Sequence, residues 1–219
     1  MRRTASRSAC PCAEGDDFRW RPFALASLVA LVCAGLSVQT LSGAGFDRNP
    51  KIRAVRAKAD SFVSAASRTK NFGRQRDLVV DASPPTRVYL RFAVDLSSSE
   101  IQHVSLLLYS RTRSRIGYQV RLVDRSWRER KVNYENAPKF SSRFVASGPL
   151  RARSWKAVDV TSLVIGDSNG VSVALTTLSS NGAAFASRET GLHGPRLVVE
   201  SQQNDTTTST GAEMPPGVG

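Results

Sequence analysis

Apolar and polar side chains alternate with a period of two through short stretches of this chain. Between residues 59 and 200 no long segment carries the 3.6-residue spacing of a helix. In Arg87-Val88-Tyr89-Leu90-Arg91-Phe92 the apolar Val88, Leu90 and Phe92 share one face, and Arg87, Tyr89 and Arg91 share the other. Val104, Leu106 and Leu108 make a second inward set, and Tyr118, Val120 and Leu122 a third. Further strands are predicted at 78–81, 155–160, 171–176, 184–188 and 196–200, with clusters of Gly, Pro, Asn and Ser between them. Residues 159–163 predict a single helical turn capped by Asp159 or Thr161. Residues 134–138 predict a turn. Many short strands at even spacing imply an all-β fold, a single β-sandwich of jelly-roll type.

The ends of the chain have a different character. Residues 1–44 carry a basic lead followed by an uncharged apolar run over 23–38, 16 residues long. That run is slightly longer than a usual signal-peptide core and shorter than the roughly 20 residues that span a bilayer. Ser42-Gly43-Ala44 offers a signal-peptidase site, so cleavage after Ala44 is expected, with an uncleaved membrane anchor as the alternative. Both place the protein outside the cytoplasm, secreted or at the cell surface. Residues 45–58 are polar and basic and read as a linker. Residues 201–219 hold almost no large apolar side chain and read as a disordered tail.

All three cysteines, Cys10, Cys12 and Cys33, lie in the N-terminal segment, so residues 59–200 contain none. Thiol catalysis, zinc-thiolate sites and disulfides are thereby excluded from the domain. The formal net charge is +13, and residues 59–200 hold 21 Lys and Arg against 12 Asp and Glu. The surplus belongs to the domain itself and favours a polyanionic partner. Nucleic acid is not expected, because the export signal argues against it and no nucleic-acid motif is present. His103 and His193 are the only neutral-pH acid–base groups, and no nucleophile or carboxylate is placed beside either, so no catalytic residue is assigned. Trp127, Tyr134 and Trp155 read first as core or turn-packing aromatics, with a sugar platform as the alternative.

Several phrases in fixed order resemble a known family. They are Ala59-Asp60-Ser61-Phe62-Val63, Lys70-Asn71-Phe72-Gly73, Leu78-Val79-Val80-Asp81, Tyr89-Leu90-Arg91-Phe92, and Trp127-Arg128-Glu129 leading to Asn133-Tyr134-Glu135-Asn136-Ala137-Pro138. Trp155 before Val158-Asp159-Val160-Thr161, then Phe185-Ala186-Ser187-Arg188-Glu189 and Pro195-Arg196-Leu197-Val198-Val199, complete the series. Together they resemble carbohydrate-binding module family 96, the DNRLRE-type domain. The resemblance implies a secreted, non-catalytic β-domain that binds polysaccharide, with acidic polymers such as alginate as the associated ligands. Here the ligand is expected to be an anionic polysaccharide, a polyuronate or wall polymer, and the protein a monomer. A structural or adhesive surface domain without a sugar site is the alternative reading, and a small polysaccharide lyase a third.

Candidate ligand-binding residues are Arg87, Tyr89 and Arg91 on their shared strand face, where arginine forks match carboxylates and an aromatic ring can stack on a sugar. Lys70, Asn71 and Arg74 from the basic loop, with Arg188, complete the set. The competing reading of Arg91 is a structural ion pair with Glu189. No cofactor is required. A structural calcium ion is the one metal considered, with Asp60 and Glu189 as its expected ligands.

Overall fold

Eleven strands appear in the computed structural model, which describes residues 50–202. They are β1 (Lys51–Arg56), β2 (Ala59–Ser64), β3 (Asp77–Ala82), β4 (Pro85–Phe92), β5 (Ile101–Ser110), β6 (Gln119–Leu122), β7 (Val145–Ala146), β8 (Ser154–Asp159), β9 (Val171–Thr176), β10 (Ala183–Ala186) and β11 (Arg196–Ser201). One helical turn, α1 (Thr161–Val164), and two 3₁₀ turns at Ala65–Ser67 and Arg188–His193 complete the elements. Every strand pairing is antiparallel.

The strands fall into two ladders. In the first, β1 pairs β11 and β11 pairs β5, while β8 takes the other edge of β5. In the second, β2 and β9 flank β4, and β6 and β7 follow beyond β9. β3 joins them, because its first residues pair with β10 and its last two with β4. The result is sandwich-like. Val88, Leu90 and Phe92 of β4 and Val171, Val173 and Leu175 of β9 share one core with Val104, Leu106 and Leu108 of β5 and Leu197 and Val199 of β11. Each such side chain contributes on the order of 2 kcal/mol by leaving water.

The alternation therefore located β3 to β6 and β8 to β11 to within about three residues, and missed β2, whose buried Asp60 and Ser61 break the apolar pattern, and the two-residue β7. Two differences have physical causes. β1 lies inside the stretch read as a linker, because it is an edge strand tied to β11 by backbone bonds, and only Val55 packs against the core. The predicted 184–188 strand stops at Ala186, since Ser187 turns the chain into a 3₁₀ segment by accepting from the Glu189 N–H. The single helical turn forms as expected, although Val160 occupies its N-cap position. Asp159 nevertheless accepts the Thr161 N–H at 2.9 Å. Among the described residues no helix is long and apolar enough to cross a membrane. The signal and anchor assignments at 1–44 lie outside the described residues. The tail assigned to 201–219 is overturned at its first residue, because Ser201 ends β11 by pairing with Lys51, and the rest of it beyond residue 202 lies outside the described residues.

The two ladders treat their outer faces differently. The back of β2, β4 and β9 is roofed by residues 123–140. There Ala59, Val63, Tyr89 and Ala174 pack beneath Trp127 and Val132, with Tyr134, Ala137 and Phe140 at the margin. Among the described residues nothing comparable roofs the back of β1, β11, β5 and β8, and its outward residues are all exposed or half-buried.

Candidate functional site

Arg87, Tyr89 and Arg91 do share one strand face, and that face lies under the 123–140 roof. Tyr89 is fully buried, donates its hydroxyl hydrogen to the Pro138 carbonyl at 3.2 Å and meets Trp127 edge-on at 5.9 Å. Burial pushes its phenol pKa up. Arg91 donates from Nη1 to the carbonyls of Arg125 (3.0 Å) and Trp127 (2.9 Å), with its guanidinium 5.3 Å from the centre of the Trp127 ring. The ion pair with Glu189 considered for Arg91 is thus replaced by bonds to backbone. Arg87 stacks 5.1 Å from both the Tyr134 and Phe140 rings. A planar guanidinium serves both needs, lying flat on rings while its edge satisfies carbonyls. The surface expected to meet a ligand is a second small core.

Asn71 and Arg188 hold the same roof from its margin. Asn71 donates from Nδ2 to the carbonyls of Glu129 and Val132, both at 2.7 Å, and accepts the Gly73 N–H at 3.2 Å. Arg188 clasps Glu129 bidentately at 2.7 and 2.9 Å and reaches Glu189 at 3.5 Å, while its N–H donates to Asp60 at 2.7 Å. Asp60 is buried, and desolvation first, then the charges of Glu189 and Glu129, raise its pKa to about 7 against the pull of the Arg188 N–H. Carboxylate oxygens of Asp60, Glu129 and Glu189 lie within 4.8 Å of one another. Among the described residues these three could hold a cation, and the Arg188 guanidinium already supplies positive charge to them. Glu129 carries no signal of this role in the sequence, because it lies 69 residues from Asp60 and 59 from Arg188. Lys70 sits 5.1 Å from the centre of the Phe72 ring, which stacks on Phe62 at 4.2 Å, and Arg74 is exposed.

A different group of residues occupies the open face. Trp155 of β8 and Tyr109 of β5 are cross-strand partners, their rings 5.6 Å apart and edge-to-face. The His193 ring lies 4.2 Å from Tyr109 and 6.2 Å from Trp155. Arg196 of β11 holds its guanidinium 5.0 Å from the centre of the Trp155 ring and is anchored by donating from Nη2 to the Leu192 carbonyl. Directly opposite Arg196 across the β1–β11 ladder stands exposed Arg56. Trp155 is 39% exposed, whereas Trp127 is 5% exposed. Trp155 is therefore neither core nor turn packing. The signal was in its parity: Trp155 alternates with Val158, which points inward, and shares a face with Ala157 and Asp159.

Among the described residues, Arg68, Arg111, Arg125 and Arg188 pair with carboxylates. Most of the basic side chains within residues 59–200 have no carboxylate partner among the described residues. The sequence profile of carbohydrate-binding module family 96 matches residues 51–201, essentially the whole folded range. No curated protein matches the chain.

Proposed function

Because the chain belongs to carbohydrate-binding module family 96, a family of non-catalytic binding domains, we propose that it is an exported module that binds an acidic polysaccharide, a polyuronate or an anionic wall polymer. The observation that supports acidic over neutral polymers is the charge. Residues 59–200 carry 21 basic against 12 acidic side chains, and only four of the arginines have carboxylate partners among the described residues. Such a surface raises the local concentration of a polyanion and releases it as salt screens the field. The basic lead and the 16-residue apolar run at 23–38 support export. We also infer a jelly-roll connectivity for the sandwich, as the family resemblance implies, and a monomer. A calcium ion at Asp60, Glu129 and Glu189 would compete with Arg188 for the same oxygens, and melting in calcium against chelator reports which cation holds them.

Affinity electrophoresis of the full chain tests the reading. Retardation by alginate that fades between low and high salt, with no retardation by a neutral glucan, is the expected result. Migration unaffected by any acidic polymer at low salt, with calcium present, would remove the functional claim and leave a structural surface domain.

A further inference from the structure

We propose that the acidic polysaccharide lies on the open outer face of β11, β5 and β8, on a platform formed by Trp155, Tyr109 and His193 and flanked by Arg56 and Arg196. This placement rests on the polysaccharide reading above and names the site for it.

Three observations converge there. The first is the asymmetry of the two outer faces. The back of β4 is closed by Tyr89, Trp127 and the 123–140 roof, whereas among the described residues no such roof covers the back of β5, whose outward residues are half-buried. The second is the exposed aromatic group. A tryptophan on a sheet face, 39% exposed and grouped with a tyrosine and a histidine, is apolar surface that folding leaves in water. The negative faces of these rings suit the C–H faces of a pyranose, and their rims leave the sugar hydroxyls in water.

The third is the arginine pair. Arg56 and Arg196 are direct cross-strand partners, an arrangement that is destabilising for like charges. Neither has a carboxylate partner among the described residues. An anion between them relieves that repulsion. Arg196 is already oriented by its contact with Trp155 and its bond to the Leu192 carbonyl, so little side-chain freedom is lost when it takes up a carboxylate. Arg56 also borders a cleft of about 190 Å³ against Gly191 and Gly194, which leaves room beside the pair.

The charge on this face is polarised along the strands. The register runs from His103 opposite Glu200, through Ser105 opposite Asp159, to Leu107 opposite Arg196 and Tyr109 opposite Trp155. The acids thus stand at one end, where His103, against the expectation that no carboxylate or hydroxyl lies beside it, is 3.6 Å from Asp159 and 3.1 Å from the Ser105 hydroxyl, and the arginines stand with the aromatic rings at the other. A polyanion is steered to the Trp155 end. A neutral glycan would stack on the same rings but gain nothing from Arg56.

The test is calorimetric titration of the full chain with alginate oligosaccharides at low salt, comparing W155A, W155F, R56Q, the charge-matched control R130Q and the loop variant R74A. W155A and R56Q are expected to weaken binding about tenfold or more, as removal of a central contact does, with R130Q changing less than about twofold. Arg56 is exposed, so R56Q reports on the site even where W155A loosens β8. Wild-type binding that neither W155A nor R56Q weakens would overturn the placement while leaving the polysaccharide reading intact. Loss in R74A alone would move the polymer to the 70–76 loop and overturn it equally. A concentration-dependent dimer that W155A dissolves would mean that a second copy covers the face. Wild type that binds no acidic oligosaccharide would remove the reading itself.

Discussion

Arginine has two occupations in this molecule, and its neighbours decide which. Arg91 is enclosed by carbonyls and an indole, while Arg56 stands in solvent opposite another arginine. The strand pattern told which side of β4 Arg91 is on but not what lies above it, because the covering residues come from a loop without periodicity. R91A should cost about 2–4 kcal/mol of stability in denaturant titration, since it strands two carbonyls and removes a ring contact. Its affinity for polyuronate should stay within about twofold, and a collapse of affinity in a stable R91A would return Arg91 to the ligand. Asp60 offers a second test. Its folded pKa of about 7 lies above the ordinary 3.8. Below about pH 4 both folded and unfolded forms are protonated. As pH rises toward 7 the unfolded form ionises first, so this group's contribution falls by up to about 1.4 kcal/mol per pH unit and then levels off. D60N removes that dependence. The melting temperature of D60N relative to wild type should therefore climb from pH 4 to pH 8, and a constant difference would contradict the buried, proton-retaining carboxyl.

At the scale of elements, strands that bury an apolar face were legible, whereas β2, which buries Asp60 and Ser61 among its apolar residues, and segments that bury little were not. β4, β5 and β9 follow from alternation or from an unbroken apolar run, as in Val171-Ser172-Val173-Ala174-Leu175. β1 is all edge, and the 123–140 roof is held by single contacts spread across distant sequence, such as Asn71 on Glu129 and Val132 and the Trp127 indole N–H on Ser172. Gly73 is the tightest of these. A Cβ there would stand 2.3 Å from the Glu129 carbonyl oxygen, which is backbone and cannot turn aside. G73A should lower stability by about 2–3 kcal/mol through overpacking and red-shift the Trp127 fluorescence as the roof lifts. Unchanged stability and emission would mean that the roof is not fixed through this contact.

Across the described residues the sandwich-like fold presents two unlike backs, one roofed by residues 123–140 and one without such a roof, on a chain of formal net charge +13. The charge was legible in composition. The likeness to a sugar-binding family was legible in the order of short phrases. The position of the candidate site was not, because it depends on the pairing of β1 with β11 and of β5 with β8, and register is not written in either strand alone. Once Arg56 faces Arg196 and Tyr109 faces Trp155, one end of the open face combines flat rings with unpaired cations. The two described tryptophans then serve as built-in reporters, because the Trp127 indole N–H is buried against Ser172 and Trp155 is exposed. The most direct measurement is the set of indole N–H resonances of the ¹⁵N-labelled full chain during titration with alginate oligosaccharide, assigned with W155F. The account predicts that the Trp155 signal shifts with saturation while the Trp127 signal stays in place. A shift confined to Trp127, or binding that leaves Trp155 unmoved, would contradict it.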